Sequence, residues 1–309
     1  MTPKLGYLLP TREQIMKGQP QTGPLLALAS RAHDLGFDSV WAGDSLTARP
    51  RHDPLTLLAA VAGRLPGLTV GTAVLLPMLR NPVILAHQVA TLDQLSEGRL
   101  ILGVGFAADR PNIRAEVAAA GVPFEHRIGR MLEGLRLCKA LWSGQPVDWN
   151  GRWHAAQATV APTPFRPNGP PLWIGGNLAG SLDRAGKYFD GWIPIAPDPA
   201  AFASGLSHVR DVARQHGRDP ASVAGAMYLT LSLDDEPAQA DARLNAFLEQ
   251  YYGQPAQVLR RRQACYAGTA AALPEWLDLY AKAGAGHLVL RFAGNHEKHL
   301  ALIANLRHP

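Results

Sequence analysis

Short apolar runs alternate with amphipathic stretches along the whole chain. The first run, Leu5–Leu9, reads as a strand; Leu25, Leu28, Ala29, Ala32 and Leu35 then recur at helical spacing up to Gly36. Further runs at Ser39–Ala42, Thr69–Leu75 and Leu100–Val104 predict strands two to four. Between them lie a helix opening near Pro54 and one carrying Leu85, Val89 and Leu92 on a single face up to Gly98. A long helix is predicted from about Glu125 to Trp142. The stretch Gly144–Pro171 breaks the rhythm: it is rich in Pro, Gly and Trp and reads as an irregular insertion with a small hairpin at Asn150-Gly151. Strands resume at Leu172–Ile174, Gly191–Ile195, Ala226–Leu233 and His287–Arg291, with helices near Leu178–Tyr188, Pro199–His216, Pro237–Tyr251 and Ala270–Ala283 and from His296. Eight strands with at least eight helices predict an α/β fold, a closed (β/α)₈ TIM barrel forming one domain over residues 1–309. An open doubly wound sheet is the alternative.

Composition narrows the function classes. Apolar residues make up 47% of the 309 and charged residues 18%, which suits a globular enzyme-sized core. No apolar run is long enough to span a membrane, and the opening MTPKLGYLLP lacks the pattern of a secretory signal, so a cytoplasmic protein is expected. The two cysteines, Cys138 and Cys265, are far apart, with Cys138 on a helical core face. The net charge of +5 is spread out, with no basic run interleaved with aromatics, so no nucleic-acid partner is expected.

In such a barrel the chemistry lies just after the strands. Gly175-Gly176-Asn177 joins a strand to a helix and is a candidate phosphate cradle, where backbone N–H groups and a helix start meet an anion; an ordinary tight turn is the competing reading. Gly103-Val104-Gly105-Phe106-Ala107-Ala108 fits a dinucleotide fingerprint in letters only, since no helix opens at once. The better reading is that Gly103 and Gly105 leave room for a flat ring. Asp44 ends the second strand and is either a catalytic or ring-binding carboxylate or a turn residue. His52 can face the pocket, whereas Asp53 reads as a helix N-cap. His296-Glu297-Lys298-His299 has the wrong spacing for a zinc helix and reads as a solvated face, so no metal site is expected. Neither a nucleophile elbow nor a Walker loop occurs. Tyr251, Tyr252 and Tyr266 are either pocket wall or core packing, and the Gly144–Pro171 insertion is expected to shape the pocket.

Taken together, HDLGFDSVWAGDSL, DPLTLLAAVAG, LTVGTAVLLPMLRNPVILAHQVATLDQLSEGRLILGVGF, FEHRIGRMLEGLRLCKALW, PPLWIGGN and DGWIPIAP resemble the luciferase-like monooxygenase family, closely over residues 4–195 and loosely beyond. The resemblance implies a barrel that binds reduced FMN or its deazaflavin relative, coenzyme F420, commonly as a homodimer. It also implies a non-proline cis peptide at Ala73–Val74 behind the ring, a phosphate contact from Arg127, and phosphate binding by Gly175, Gly176 and Asn177. Arg291, at the last strand end, is a candidate for phosphate or an anionic substrate. Many family members carry an acidic residue and a histidine after the second strand; here the pair is Asp44-Ser45, and a serine cannot take up a proton as histidine does. The expectation is a flavin-dependent oxidoreductase, a monooxygenase fed with reduced FMN by a separate flavin reductase and acting on a small molecule. Hydride transfer with coenzyme F420 and a non-catalytic flavin carrier are the alternatives.

Overall fold

The apolar runs become strands that pair in parallel, each with its successor. A computed structural model describes residues 2–307, excluding the Arg307 side chain. Its strands are Lys4–Leu8 (β1), Ser39–Ala42 (β2), Thr69–Thr72 (β3), Leu100–Val104 (β4), Val147–Asn150 (β5), His154–Ala158 (β6), Leu172–Ile174 (β7), Gly191–Trp192 (β8), Ala224–Leu233 (β9), Cys265–Gly268 (β10) and His287–Phe292 (β11). The order β9-β11-β1-β2-β3-β4-β7-β8 closes through a β9–β8 pairing, which gives an eight-stranded parallel barrel. Gly191 pairs with Ala224 at that seam, and Lys4 with His287 where the last strand meets the first. The predicted (β/α)₈ barrel is the fold, and the open sheet is excluded by the closing pairing.

Helices cover the outside and side chains fill the inside, as a parallel barrel requires. The Trp41 indole lies across the interior, stacked on Trp173 at 5.7 Å and edge-on to His287 at 5.3 Å. Its Nε1 donates to Ser39 Oγ at 2.7 Å, and Ser39 Oγ is 2.7 Å from His287 Nε2. Burial pushes the His287 imidazole down to about 4, so it is neutral in this layer at pH 7. Small neighbours make the layer possible: a Cβ on Gly71 would lie 2.4 Å from the Trp41 ring.

Some expectations need correction. Gly103 and Gly105 are small because the backbone and side chains of β3 and its turn press on them, and of the two only Gly105 lines the cleft described below. A Cβ at Gly103 would strike the Thr72 carbonyl at 2.0 Å, and one at Gly105 the Val74 side chain at 2.6 Å. The Gly144–Pro171 insertion does hold a hairpin, β5–β6, but none of it lines the cleft described below. Instead Glu133 ties it to the helix Arg127–Leu141, accepting from Arg152 N at 2.7 Å and Trp149 Nε1 at 3.3 Å. Nor is the His296–His299 segment a solvated face. His296 Nδ1 meets the Tyr7 hydroxyl at 2.7 Å, His299 Nε2 accepts from Leu233 N at 2.9 Å, and burial pushes His296 down to about 3. Four short elements were not predicted, apart from two 3₁₀ turns: the helices Thr11–Met16, Pro111–Ala119 and Ala256–Arg260, and strand β10, which pairs in parallel with the carboxyl end of β9. Asp53 is the N-cap expected of it, accepting from Thr56 N at 2.9 Å. Cys138 is a core thiol, pushed up to about 12 by burial.

Candidate active site at the strand carboxyl ends

A cleft of about 780 Å³ opens at the carboxyl rim of the barrel, its wall built from the segments after β2, β3, β4, β7 and β8 and from the region around Tyr251–Gln263. Its floor is the end of β3. The ladder stops at Thr72, the Ala73–Val74 peptide is cis, and Leu75 returns to bridge Val104. Val74 sits between the neighbouring loops, with the places of a Gly105 and a Gly175 Cβ at 2.6 and 3.5 Å from its methyls.

One end of the cleft is made of glycine and backbone. Gly175, Gly176 and Asn177 lead into the helix Ala179–Tyr188, which has no side-chain cap, so its first N–H groups are left to solvent or a ligand. Gly176 has φ 109°, a conformation that favours glycine, and its carbonyl accepts from Trp192 Nε1 at 2.8 Å. The buried Ser181 Oγ beside it has no hydrogen-bond partner. Arg184, on the same helix, lies 5.1 Å from the centre of the Phe106 ring, and its Nε is also unpartnered. Burial pulls the Arg184 guanidinium below its usual range. Backbone donors, a helix start, an orphaned hydroxyl and an arginine fit the phosphate of a tailed ring.

The other end is made of arginines and tyrosines. Arg49 lies 5.0 Å over the Tyr252 ring, while Arg51 donates from Nε to the Arg49 carbonyl at 3.2 Å and stands beside the Tyr251 side chain. The Tyr228 phenol stands in the wall, and burial holds it well above its usual range, so it stays protonated. Tyr251 and Tyr252 are therefore wall residues, whereas Tyr266 packs on Trp276 at 5.3 Å.

Between the two ends lie two carboxylates. Asp44 is fully committed: Oδ2 accepts from Arg80 Nη1 at 2.5 Å and from Leu76 N at 2.9 Å, and Oδ1 accepts from Arg80 Nη2 at 3.2 Å. It clamps the turn after β3 rather than offering a free oxygen. Glu116 is buried, and its Oε1 accepts from Ser45 Oγ at 2.6 Å and from the amides of Leu46, Thr47 and Ala48 at 2.6, 3.0 and 3.2 Å. Its Oε2 has no partner. Ser45, at the place where many family members have histidine, is thus joined to a carboxylate.

Asp44, Ala73, Val74, Gly105 and Gly175–Asn177 therefore meet in one cleft, but three other expected residues do not line it. His52 is turned outward, with Nε2 2.8 Å from the Pro20 carbonyl. Arg127 stacks on Phe124 at 3.9 Å and donates to the Ala107 carbonyl at 3.0 Å, which supports the loop after β4 from outside. Arg291 is 1% exposed, behind the wall. It donates to Thr230 Oγ1 at 3.0 Å and to the Tyr252 hydroxyl at 2.9 Å, among the rings of Tyr251 and Phe247. Glu116, Arg51 and Arg49 line the cleft and were missed by the sequence reading, and Arg184 stands next to it against Phe106. A glutamate three residues beyond a helix-opening Pro-Asn-Ile, and the Arg-x-Arg before His52, were the signals available.

The sequence profile of the luciferase-like monooxygenases matches residues 3–307. This chain belongs to that family. An F420-dependent hydroxymycolic acid dehydrogenase of Mycobacterium tuberculosis is 32% identical over 239 residues, covering 72% of this chain and 63% of that one. An F420-dependent glucose-6-phosphate dehydrogenase of Kineococcus radiotolerans is 32% identical over 249 residues, covering 77% and 70%. Among solved structures, an F420-dependent secondary alcohol dehydrogenase in complex with an F420-acetone adduct shares the fold, with a TM-score of 0.83 at 22% identity, covering 99% of this chain and 98% of that one. No helix among the described residues is long and apolar enough to cross a membrane.

Proposed function

We propose that this luciferase-like barrel is an oxidoreductase that uses coenzyme F420 to exchange a hydride with a small alcohol or carbonyl compound. The choice of coenzyme is supported by relatives at 32% identity that are F420-dependent. The observation that carries the chemistry is Glu116, a carboxylate of the cleft wall whose covered Oε2 has no hydrogen-bond partner and reaches a substrate once binding uncovers it.

When bound, the coenzyme supplies a carbon that accepts or returns a hydride. The Gly175–Asn177 loop, the helix start at Ala179, Ser181 and Arg184 would hold its phosphate, and Val74 with the end of β3 would back its ring. As an alcohol carbon gives up its hydrogen with two electrons, its hydroxyl proton must leave while the C=O bond forms. Glu116 takes that proton on Oε2, and returns it when a carbonyl is reduced. Ser45 and the three turn amides fix Oε1, so the free oxygen keeps one direction. Asp44, neutralised by Arg80, keeps the turn after β3 in place and needs no proton.

Fluorescence titration with F420 and with FMN, followed by anaerobic addition of an alcohol panel, tests the reading. The expected result is tighter binding of F420 and alcohol-dependent loss of its absorbance. The family description favours a second reading, a monooxygenase using reduced FMN. Tighter FMN binding with substrate-dependent oxygen uptake would replace the first reading with this one, and binding without any turnover would make the protein a carrier.

A further inference from the structure

The arginine end of the cleft carries positive charge that the protein does not neutralise. Arg49, Arg51, Arg110 and Arg262 line it, and among the described residues none of the four forms an ion pair with a carboxylate. Of the wall's own carboxylates, Asp44 is paired with Arg80, and Glu116 is held through Oε1 by the Ser45 turn and pairs with no arginine. Behind the wall stand two more guanidiniums, Arg12 over Tyr251 at 4.4 Å and Arg291. Both keep buried N–H groups without partners, the Nε of each and Nη1 of Arg12. The nearby carboxyl of Glu13 is pushed up by burial, against the pull of Arg291, Arg51 and Arg12.

Crowded like charges away from water are costly unless something pairs with them. At Arg49 the pKa is lowered first by burial and further by Arg51 and Arg110, against the tyrosines, whereas at Arg51 burial is outweighed by Tyr251, Tyr228 and Glu13, which raise it. Yet these side chains are held in place: Arg49 lies on Tyr252, and Arg51 is bonded to the Arg49 carbonyl and stands beside Tyr251. Guanidiniums fixed in advance, with planar donors facing a cleft, are suited to an oxyanion. A coenzyme phosphate would have its own donors at Gly175–Asn177, so the arginines are available to a different anion.

We propose that the molecule processed here carries a carboxylate or phosphate group, held by Arg51 and Arg49 in the part of the cleft wall that follows β2. That the anion belongs to a substrate rests on the oxidoreductase reading; the anion site itself does not.

The test is calorimetric titration of the full, coenzyme-free chain with inorganic phosphate and with succinate, at ionic strength matched with chloride. Wild type is compared with Arg51→Gln, Arg49→Gln, Arg51→Lys and Arg184→Gln, each checked by thermal melting. At least one anion should bind, with preference for phosphate or succinate identifying the group. For succinate, Arg51→Gln should weaken binding about tenfold or more, Arg51→Lys should recover part of the loss, and Arg184→Gln should leave it unchanged; inorganic phosphate can also enter the glycine loop, so for phosphate the Arg51-dependent part is the one that counts. F420 affinity should respond the opposite way, falling with Arg184→Gln and not with Arg51→Gln. Binding of neither anion, binding indifferent to Arg51 and Arg49, or displacement of the Arg51-dependent anion by F420 would overturn the proposal. If F420 fails to bind while the anion still depends on Arg51, the coenzyme reading falls and the anion site stands.

Discussion

The two ends of the cleft bind charge in different ways. At Gly175–Asn177 the donors are backbone, set by one turn and one helix start within a few residues of each other. At the arginine end the donors are side chains drawn from Arg49 and Arg51, steadied by Tyr251 and Tyr252 some two hundred positions later. A backbone site is cheap to build and hard to retune, because its geometry is that of the chain itself. A side-chain site costs desolvation and rotamer freedom, but it can be altered one residue at a time. The difference suits a shared coenzyme at the first end and a substrate particular to this protein at the second.

The predictions test that division. The largest effect is expected between the two ends: Glu116→Gln keeps an oxygen for the Ser45 turn but removes the proton acceptor, and kcat should fall about 10²–10⁴-fold with little change in F420 affinity. An unchanged kcat would take Glu116 out of the chemistry. Next, Arg80→Gln strands a carboxylate that is 2% exposed, so denaturant unfolding should show a loss of about 3–5 kcal/mol. Both groups of residues stand on the same barrel, whose packing acid should loosen. His287 and His296 are neutral when folded, at about 4 and about 3, but take up protons near 6.5 when unfolded. Stability is therefore full above about pH 6.5 and is lost as pH falls toward those lower values, by about 2 kcal/mol for each histidine at pH 5. Chemical denaturation at pH 7 and pH 5 measures the loss, and His287→Gln should remove one share of it. The smallest effect is confined to the glycine end. Gly176→Ala places a Cβ 2.9 Å from Ser181 Oγ at φ 109°, costing about 1–2 kcal/mol in stability and weakening F420 while sparing the anion at Arg51.

Much of the fold could be read from spacing, and much of the site could not. Leu172–Ile174 followed by two glycines announces a strand and a phosphate turn because both are local properties of the chain. Helix Thr11–Met16 and strand β10 were missed because neither is long enough to show a period, and each is held by packing against the barrel rim. His52 and Arg127 have suitable chemistry, but the fold turns them outward, to the Pro20 carbonyl and the Phe124 ring. No local rule indicates which way such side chains will point.

From its sequence alone this protein was committed to eight parallel strands, to a helix after nearly every one, and to a glycine turn where an anion can sit, since periodicity and backbone freedom act over a few residues. Tertiary structure decided that Asp44 is spent on Arg80, that Ser45 is joined to Glu116, and that Arg49 and Arg51 meet tyrosines from the far end of the chain. Those outcomes depend on which charges are brought together out of water, and only the closed barrel fixes that.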